Sequence, residues 1–598
     1  MSAGFWAEED EETSGYSGEV VRRLGRYLRP YAHLILATLA IVVVAALLQT
    51  AGPMIVREAV DGQIQQGRSD DLGVLVLAYL GTLLGVFVLF FVQAVLITYV
   101  TQRVLMDIRL QLFSHIQKMS IAFFDRNPVG RLVTRLTNDV STIEEVLSQG
   151  LVEALYNVLV LIAIVGALFY LDWRLAIVML VFVPGLVYFV RRFALALRDT
   201  FRSQRYWLAR LNAFLNENIT GMAVVQLFNR QGRNLRRFDG LNRSLLAANL
   251  RATFYYAAFE PAVVGFNAVT TAAIVWYGGG RAIDDALTLG TLIAFLQYMQ
   301  RFYWPVRELS ERLTNVQQAL ASCERIFGVL DEPEEIADDP AAEPLGEVRG
   351  AVEFRNVWFA YDAGNWVLRD VSFAISPGES VAIVCATGAG KTTLMNLLNR
   401  FYDVQRGEVL IDGRPVRRLR QRELRRQVGI VLQDPFIYTD TVAENIRLRD
   451  PSISMDQVVE AAKHVGADAF IRQMADGYQT HLAERGANLS TGQKQLIALA
   501  RVAAFNPKIV LVMDEATASI DPETESALQG SLRRVMAGRT SVVIAHRLNT
   551  IRHATRILVL HQGRLVEEGT HAALLAQSGI YTRLYELQYK DQDAAAAG

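Results

Sequence analysis

The residues with the clearest chemical potential lie in the stretch 488–521. A small-polar turn, residues 489–493, opens an apolar-periodic helix, and Ser490 is a favourable N-cap type. Free N–H groups at such a helix start attract phosphate. Further on, a continuous apolar run ends in the paired carboxylates Asp514 and Glu515. Such a run is typical of a strand buried in a parallel sheet, whose carboxyl end is where α/β sheets bind ligands.

The acidic pair alone leaves two interpretations open, because a solvated strand end that caps a helix has the same composition. An upstream segment favours a ligand site: the apolar strand 381–384 runs into Cys-Ala-Thr-Gly-Ala-Gly-Lys-Thr at 385–392, and a helix follows. The spacing matches the phosphate-binding pattern GxxxxGK[ST], except that Cys385 takes the place of the first glycine. Backbone N–H groups that follow one another after a strand form an anion-binding nest. The predicted phosphate-binding residues are Cys385, Thr387, Gly388, Ala389, Gly390, Lys391, Thr392 and Thr393.

The side chains of this loop and of the acidic pair predict a site for ATP and Mg²⁺. Lys391 would neutralise the β- and γ-phosphates, and the Thr392 hydroxyl would ligate Mg²⁺ with Asp514 as its acidic partner. Glu515 would polarise the attacking water. A Gly-Lys-Thr sequence alone is a weak signal, whereas a strand, loop and helix together with a second strand ending in Asp-Glu is a strong one. We therefore expect an ATP hydrolase.

Length and composition predict two different halves. The chain has 598 residues, which is too many for one domain, and it is 52% hydrophobic. Two cysteines argue against a disulfide framework. We expect an acidic disordered tail at 1–16, a transmembrane domain at 17–330, a Pro-rich acidic linker at 331–350 and a nucleotide-binding domain at 351–590. The predicted fold class is an all-α six-helix transmembrane domain fused to an α/β P-loop nucleotide-binding domain.

Six apolar runs predict six membrane spans. They cover residues 32–56, 72–101, 154–171, 175–190, 261–279 and 287–299. The three short runs alone would also fit buried core helices, but six runs in one half favour spans. The long stretches 102–153 and 191–251 are rich in arginine, which places them and both termini on the cytoplasmic side of the inner membrane. The basic segment 17–32 is either a helix on the membrane surface or an ordinary solvated helix.

With these motifs in hand, the chain resembles an ABC exporter half-transporter of the type IV fold over nearly its whole length. Tyr361 matches the aromatic residue that stacks on adenine, and Gln433 matches the Q-loop glutamine that senses Mg²⁺. His546 matches the switch histidine at the γ-phosphate. The signature and D-loop motifs that the resemblance implies contribute Ser490, Gly492, Gln493 and Asp521, with Thr491 in place of the first signature glycine.

The resemblance also implies how the chain assembles and works. Residues 123–139 and 216–221 look like the two intracellular loops, which in this family end in short coupling helices. ATP is sandwiched between two nucleotide-binding domains, so Ser490 and Gly492 should serve the ATP of a second half-transporter. The stretch 287–332 and the ending 518–521 look most like heterodimeric bacterial multidrug exporters. Since Glu515 is kept, this chain would be the catalytically competent partner.

The resemblance implies ATP-driven export of amphiphilic drugs, lipids or peptides, with membrane lipids as further partners. An ATP-gated channel or regulator on the same architecture is the alternative, which a continuous ion current would favour. A soluble ATPase such as a DNA-repair enzyme does not fit six spans, and nucleic acid is not expected as a partner. Glu260, at the fifth span, is either a cavity residue or an interfacial carboxylate, and the aromatic residues beside it have the same two interpretations. If Cys385 requires a positive φ, its Cβ should weaken ATP binding relative to glycine.

Overall fold

The chain folds into two compact units in a computed structural model that describes residues 17–362, 364–385, 390–514, 522–545 and 551–588. The first unit contains residues up to 117 and residues 129–332. The second contains residues 118–128 together with the chain from 333 onward. The short segment 118–128 therefore packs with the C-terminal unit although it lies within the helical half of the sequence. The expected acidic tail at 1–16 lies outside the described residues.

The first unit is all-helical, and six of its helices are much longer than the mean helix of a globular protein. Apolar runs favour long helices, and the polar ends of several of them continue the helical pattern beyond the apolar part. Four of the long helices continue through an internal proline: Pro53, Pro184, Pro261 and Pro305. The helices are α1 Ser17–Leu28, α2 Ala32–Glu58, α3 Leu72–Ile116, α4 Ile121–Arg126, α5 Val129–Thr134, α6 Val140–Glu145, α7 Leu151–Leu171, α8 Trp173–Thr220, α9 Met222–Leu227, α10 Gln231–Ile283 and α11 Leu289–Asp331. Of these, α4 belongs to the second unit.

Five helical segments are long and apolar enough to cross a membrane, judged by length and composition within the described part of the chain. They are Gly18–Ile64, Leu72–Ile116, Val129–Leu171, Trp173–Thr220 and Gln231–Ile283. The sixth predicted run, 287–299, lies mainly in α11, which is 43 residues long and continues into polar sequence. The expected helical transmembrane domain is confirmed as a fold class.

Short loops join the long helices and are held by side-chain contacts. Asp172, between α7 and α8, caps α8 by accepting hydrogen bonds from the N–H groups of Arg174 and Leu175. It also pairs with Arg281 at 2.6 Å. Burial works to raise the pKa of Asp172, but the hydrogen bonds and the guanidinium outweigh it and hold the pKa below its usual value. The carboxylate therefore stays charged and ties this loop to the end of α10.

The second unit is an α/β fold with two sheets. A four-stranded antiparallel sheet has the order β2-β1-β4-β5, and a six-stranded sheet has the order β10-β9-β3-β8-β7-β6. In the larger sheet the strands from β9 to β6 are parallel and only β10 is antiparallel. The strands are β1 Val352–Ala360, β2 Trp366–Ile375, β3 Ser380–Cys385, β4 Arg406–Ile411, β5 Arg414–Pro415, β6 Val428–Val431, β7 Ile509–Asp514, β8 Thr540–Ala545, β9 Arg556–His561 and β10 Arg564–Gly569.

Helices and the smaller sheet cover both faces of the six-stranded sheet. The helices are α12 Lys391–Leu398, α13 Gln421–Gln427, α14 Val442–Arg447, α15 Met455–Val465, α16 Asp468–Arg472, α17 Thr491–Phe505, α18 Pro522–Met536, α19 His571–Ala576 and α20 Ile580–Gln588. Alternate strand residues enter two different buried clusters: Val510 and Val512 one, Ile509 and Leu511 the other. The continuous apolar run of β7 is thus buried on both faces, as a strand inside a parallel α/β sheet requires.

The segment 333–350 joins the second unit by specific contacts. Leu345 and Val348 are buried in the cluster that includes β1 and β2. The Asp412 carboxylate accepts hydrogen bonds from the N–H groups of Arg349, Gly350 and Ala351. These contacts explain why a stretch without apolar periodicity is nevertheless ordered: its backbone donors find a carboxylate instead of a strand partner.

Two glycines with positive φ give a test of this architecture. Gly407, at the start of β4, has φ +79°, and a Cβ there would lie 2.2 Å from the Asn356 carbonyl oxygen. Gly538 has φ +73° with nothing within 4 Å. We expect G538A to cost about 1 kcal/mol from φ strain alone, and G407A at least about 3 kcal/mol because the β1–β4 pairing must move. Thermal unfolding and amide exchange of β1 measure the difference. Equal effects of both variants would contradict the packing described for Gly407.

Candidate functional site

The carboxyl ends of three neighbouring strands meet at one edge of the six-stranded sheet. Asp514, the last residue of β7, pairs with Ala545, the last residue of β8. On its other side β8 pairs with β3 in parallel, up to Ile383. The segments that follow these strands therefore start side by side, with only β8 between β3 and β7. This is the edge at which parallel α/β sheets bind ligands.

The predicted phosphate-binding loop joins β3 to α12. Residues 386–389, which include Thr387, Gly388 and Ala389, lie outside the described residues. Gly390 precedes α12 with φ +98°, and a Cβ there would lie 2.6 Å from Cδ2 of Leu368. Lys391 and Thr392 form the first turn of α12, with Lys391 half-buried and Thr392 exposed. The first turn of this helix therefore places backbone N–H groups after the end of β3.

The backbone at Cys385 does not have the positive φ that was considered for this position from the sequence. Cys385 is the last residue of β3 and pairs with Leu560 of β9. A strand residue is extended, so the premise of a positive φ is not met. In this loop the need for glycine lies instead at Gly390, where φ is positive and space for a side chain is lacking.

Tyr361 lies just after β1, and the residue is 45% exposed. Its hydroxyl is 3.1 Å from Oγ1 of the buried Thr393 in α12. Phe359 and Tyr402 meet the ring edge-to-face, with centroids 4.8 and 5.1 Å away. Three contacts thus hold an aromatic face open beside the helix that follows the phosphate-binding loop, a geometry suited to stacking on a planar base.

The helix α17 begins with a complete capping box. Ser490 Oγ accepts a hydrogen bond from the Gln493 N–H at 3.2 Å, and Gln493 Oε1 accepts one from the Ser490 N–H at 3.0 Å. Ser490 is exposed, Gln493 is half-buried and Gly492 is buried. The start of this helix is therefore rigid, with an exposed hydroxyl and the free N–H groups of a helix N-terminus.

Gln433 lies two residues beyond the end of β6, next to β7. Its backbone carbonyl accepts a hydrogen bond from Nε2 of Gln495 in α17 at 3.3 Å, which ties the glutamine segment to the helix of the signature motif. Glu515, Asp521 and His546 lie outside the described residues, and of Asp514 the structure describes the backbone alone. Their catalytic and metal-binding roles stay predictions.

Family models match both units. A model described as the ABC transporter transmembrane region matches residues 34–306, and a model described as ABC transporter matches residues 368–518. An ATP-dependent lipid A-core flippase of Syntrophus aciditrophicus is 36% identical over 96% of this chain and 95% of its own length. The chain belongs to the ABC transporter family. Its nucleotide-binding domain makes it an ATP hydrolase, and its apolar helices make it a multi-pass membrane protein.

Other relatives of this ABC transporter cover most of its length. A probable multidrug resistance ABC transporter ATP-binding/permease protein of Bacillus subtilis, YheH, is 39% identical over 86% of this chain and 77% of its own length. The solved structure of a bacterial Atm1-family ABC exporter with ATP bound is 28% identical, with a TM-score of 0.75 over 94% of this chain and 98% of that one. The resemblance to bacterial multidrug and lipid transporters is thus confirmed.

The transporter has a contact network that its sequence motifs did not reveal. Tyr402, whose ring touches Tyr361, donates a hydrogen bond to the Asp125 carboxylate in α4. Burial and this hydrogen bond raise the pKa of the Tyr402 hydroxyl, so it stays a donor. One aromatic contact and one hydrogen bond therefore connect the Tyr361 ring to α4. Nothing local in the sequence pairs residues this far apart in the chain.

A second set of contacts holds α4 to the segment that follows α11. Glu335 accepts hydrogen bonds from Ser120, at 3.0 Å, and from Arg126. Lys118 lies 3.9 Å from Glu334. The two ion pairs are partly exposed, so each alone contributes little to stability. Together with the Ser120 hydrogen bond they hold α4 in place. The sequence had suggested these acidic residues only as part of a linker.

In the helical unit, aromatic residues of α8 and α10 form one cluster. Phe259 packs on Phe189 and Phe193, with centroids 6.5 and 5.5 Å away, and Tyr255 meets Phe193 edge-to-face. These two aromatic residues beside Glu260 therefore pack between helices. Glu260 itself is exposed on α10.

The loop geometry predicts a large effect on ATP affinity for one substitution, G390A, and a small effect for another, C385G. G390A should lower ATP affinity at least about tenfold, because the methyl group meets Leu368 and the backbone is strained. C385G should change affinity by less than about threefold, since Cys385 already sits in an extended strand. Equilibrium ATP binding to the purified transporter measures both. A large gain in ATP affinity for C385G would show that the cysteine strains the loop after all.

The Tyr402–Asp125 contact predicts a local effect of losing one hydroxyl. Y402F keeps the ring contact with Tyr361 but removes a hydrogen bond that contributes about 0.5–1.5 kcal/mol. Amide exchange in α4 should become faster while ATP affinity stays within about twofold. The matched control is Y478F, which removes the 2.7 Å hydrogen bond from Tyr478 to Asp468 elsewhere in the same unit. Unchanged exchange in α4 for Y402F would show that the bond does not hold this helix.

Proposed function

We propose that this chain exports hydrophobic or amphiphilic molecules across the cytoplasmic membrane by alternating access, driven by ATP hydrolysis. The observation that carries the proposal is the shared sheet edge: the strand leading to the phosphate-binding loop and the strand ending in Asp514 finish at the same edge, separated only by β8. The same chain carries helices long enough to cross a membrane. Relatives named for lipid A-core, fatty acid and multidrug transport support an amphiphilic substrate.

The proposed chemistry uses hard oxygen ligands and an acidic residue. The Thr392 hydroxyl, the Gln433 side chain and the Asp514 carboxylate are the donor types that Mg²⁺ prefers. The pairing of β6, which precedes Gln433, with β7, which ends in Asp514, supports a shared role. Mg²⁺ would neutralise phosphate charge when bound. Lys391 holds the β- and γ-phosphates, Glu515 orients the attacking water, and His546 contacts the γ-phosphate. Tyr361 stacks on the adenine.

The functional unit is proposed to be a dimer. Ser490 caps α17 and is exposed, so its hydroxyl and the helix N-terminus are available to a phosphate from outside the chain. In a paired transporter, Ser490, Gly492 and Gln493 would face the ATP of the partner, with Asp521 beside it. We propose a heterodimer in which this chain supplies Glu515 as the catalytic glutamate for ATP hydrolysis.

Closure of the nucleotide-binding domains is proposed to be transmitted through α4 and α9. Both helices are six residues long: α4 overlaps the start of the expected stretch 123–139, and α9 begins directly after the expected stretch 216–221. The contact from Tyr361 through Tyr402 to Asp125 supports this role for α4. The long arginine-rich stretches support a cytoplasmic position for these helices and for both termini.

Replacing the proposed base separates binding from hydrolysis. E515Q keeps the shape of the side chain but loses its charge, so ATP affinity should stay within about threefold while phosphate release falls about a hundredfold or more. E460Q, an exposed glutamate on α15, serves as the matched control and should retain full turnover. Phosphate release and transport of a fluorescent amphiphile into inverted vesicles are measured together. Undiminished phosphate release by E515Q would remove Glu515 from the mechanism.

A further inference from the structure

The stretch 414–427 of the nucleotide-binding domain carries a large excess of positive charge. It contains seven arginines and one glutamate in fourteen residues, more arginines than any other stretch of that length in the sequence. Its apolar residues anchor it, since Val416, Leu419 and Leu424 are at most 6% exposed and belong to the buried cluster that includes β1 and β2. The arginines beside these anchors are all exposed. The stretch therefore has a fixed backbone and a basic surface.

Some of these arginines have partners inside the domain. Arg425 donates hydrogen bonds to the carbonyls of Asn399 and Arg400, which follow α12. Arg420 lies 3.6 Å from Glu423, the one acidic residue of the stretch. These contacts hold the stretch in place and occupy its single carboxylate. The remaining positive charge is therefore not neutralised from within the stretch.

Arg418, Arg422 and Arg426, which we call the arginine face, have no carboxylate within ion-pair distance among the described residues. Arg422 and Arg426 are four residues apart in α13, so they lie on one side of the helix and repel each other. The Arg426 guanidinium makes only a long hydrogen bond, 3.5 Å, to the Ser452 hydroxyl. Like charges that lie this close together favour an acidic partner that covers them.

The acidic segment that follows α11 is near in the sequence, but its carboxylates bind elsewhere. Glu334 and Glu335 hold α4. Asp338 lies 3.5 Å from the guanidinium of the buried Arg400 and accepts a hydrogen bond from the N–H of Gln421. An acidic partner for the arginine face is therefore to be sought outside the described residues.

The N-terminal segment of the same chain has the complementary charge. Residues 8–12 read Glu-Glu-Asp-Glu-Glu, and residues 1–16 contain no lysine or arginine. An extended run of five residues spans about 17 Å. The seven-residue helix α13 is about 10 Å long, so such a run covers α13 and the turn that precedes it. Charge and length both match the arginine face.

The chain is long enough for this contact. Arg23 of α1 pairs with Asp331 at 2.5 Å, and Asp338, whose carboxylate contacts Gln421 of α13, follows Asp331 by seven positions. Seven residues span at most about 25 Å, and the acidic run extends up to about 30 Å from Ser17. A tether of this length gives an effective concentration in the millimolar range. Exposed ion pairs that are weak one by one are then sufficient for docking.

We propose that the acidic segment 8–12 docks on the arginine face of the nucleotide-binding domain. The proposal goes beyond export, because it assigns a partner to a surface that the ATP chemistry does not use. The surface borders that chemistry, since α13 runs into β6, which leads to Gln433. The contact is ionic and exposed, so it weakens as the salt concentration rises.

A zero-length cross-link tests the contact in the full-length transporter, held in nanodiscs of neutral lipid at low salt. R422K keeps the charge and supplies an amine, which a carbodiimide joins to a carboxylate that touches it. We expect peptide mapping to find position 422 linked to residues 8–12, with the yield at least about fivefold lower in 1 M salt, where charges are screened beyond about 3 Å. The matched control is R564K, at an exposed arginine of β10, which should give no such link. Absence of the link at 422, or an equal yield at 564, would overturn the proposal.

Arginine modification gives a second measurement on the native side chains. The comparison variant carries E8Q, E9Q, D10N, E11Q and E12Q, which remove the charge of the segment and change nothing in the described fold. Phenylglyoxal should modify Arg418 and Arg422 at least about twofold more slowly in the wild-type chain, because a dissociation constant equal to the effective concentration means half occupancy. Arg564 should react at the same rate in both chains.

Anionic lipid is the competing occupant, and the same measurement identifies it. Nanodiscs with about 30% anionic lipid are compared with neutral ones for both chains. Slow modification of Arg418 and Arg422 that needs anionic lipid and persists in the neutralised variant would assign the face to a membrane surface and reject the docking. Equal rates in both chains and both lipids would show that the face stays open to solvent, which also rejects it. None of these readouts needs ATP hydrolysis, so the export proposal is tested separately by E515Q.

Discussion

Parallel hydrogen bonding among β3, β8 and β7 is the constraint on which the nucleotide chemistry of this transporter depends. The register places the last residues of β7 and β8, Asp514 and Ala545, opposite each other. A shift by one residue would turn every side chain of a strand to the other face, where a different buried cluster lies. The two apolar clusters therefore fix the register, and the register fixes where the phosphate loop, the acidic pair and the histidine segment begin.

The sequence predicted the parts of the fold that have local signals. A strand followed by Gly-Lys-Thr and a helix identified the phosphate loop, and apolar runs identified the membrane helices. Both depend on periodicity or spacing within a short window. The contact from Tyr402 to Asp125 joins residues of distant segments, so no window contains it. The same holds for Glu335, which the composition of its segment had placed in a linker and which in fact fastens α4.

Backbone conformation was a second limit on prediction. The motif showed that Cys385 takes the place of a glycine and left open whether φ is positive there; its pairing with Leu560 shows that the backbone is extended. The positive φ belongs to Gly390, one step before the helix. In the membrane half, the runs that predicted spans also contain Asn157. Hydropathy averages such a residue away and cannot show whether its amide finds a partner, which depends on three neighbouring helices.

The packing of α4 with the C-terminal unit has a consequence for recombining parts of related transporters. A chimaera joined only near residue 332 would transplant Tyr402 and Glu335 while leaving their partners Asp125 and Arg126 behind. Foreign nucleotide-binding domains would then meet an unmatched helix. A chimaera that takes residues 118–128 and the C-terminal part from the same parent keeps both sets of partners together. The C-terminal unit is therefore made of two segments that are separate in the chain.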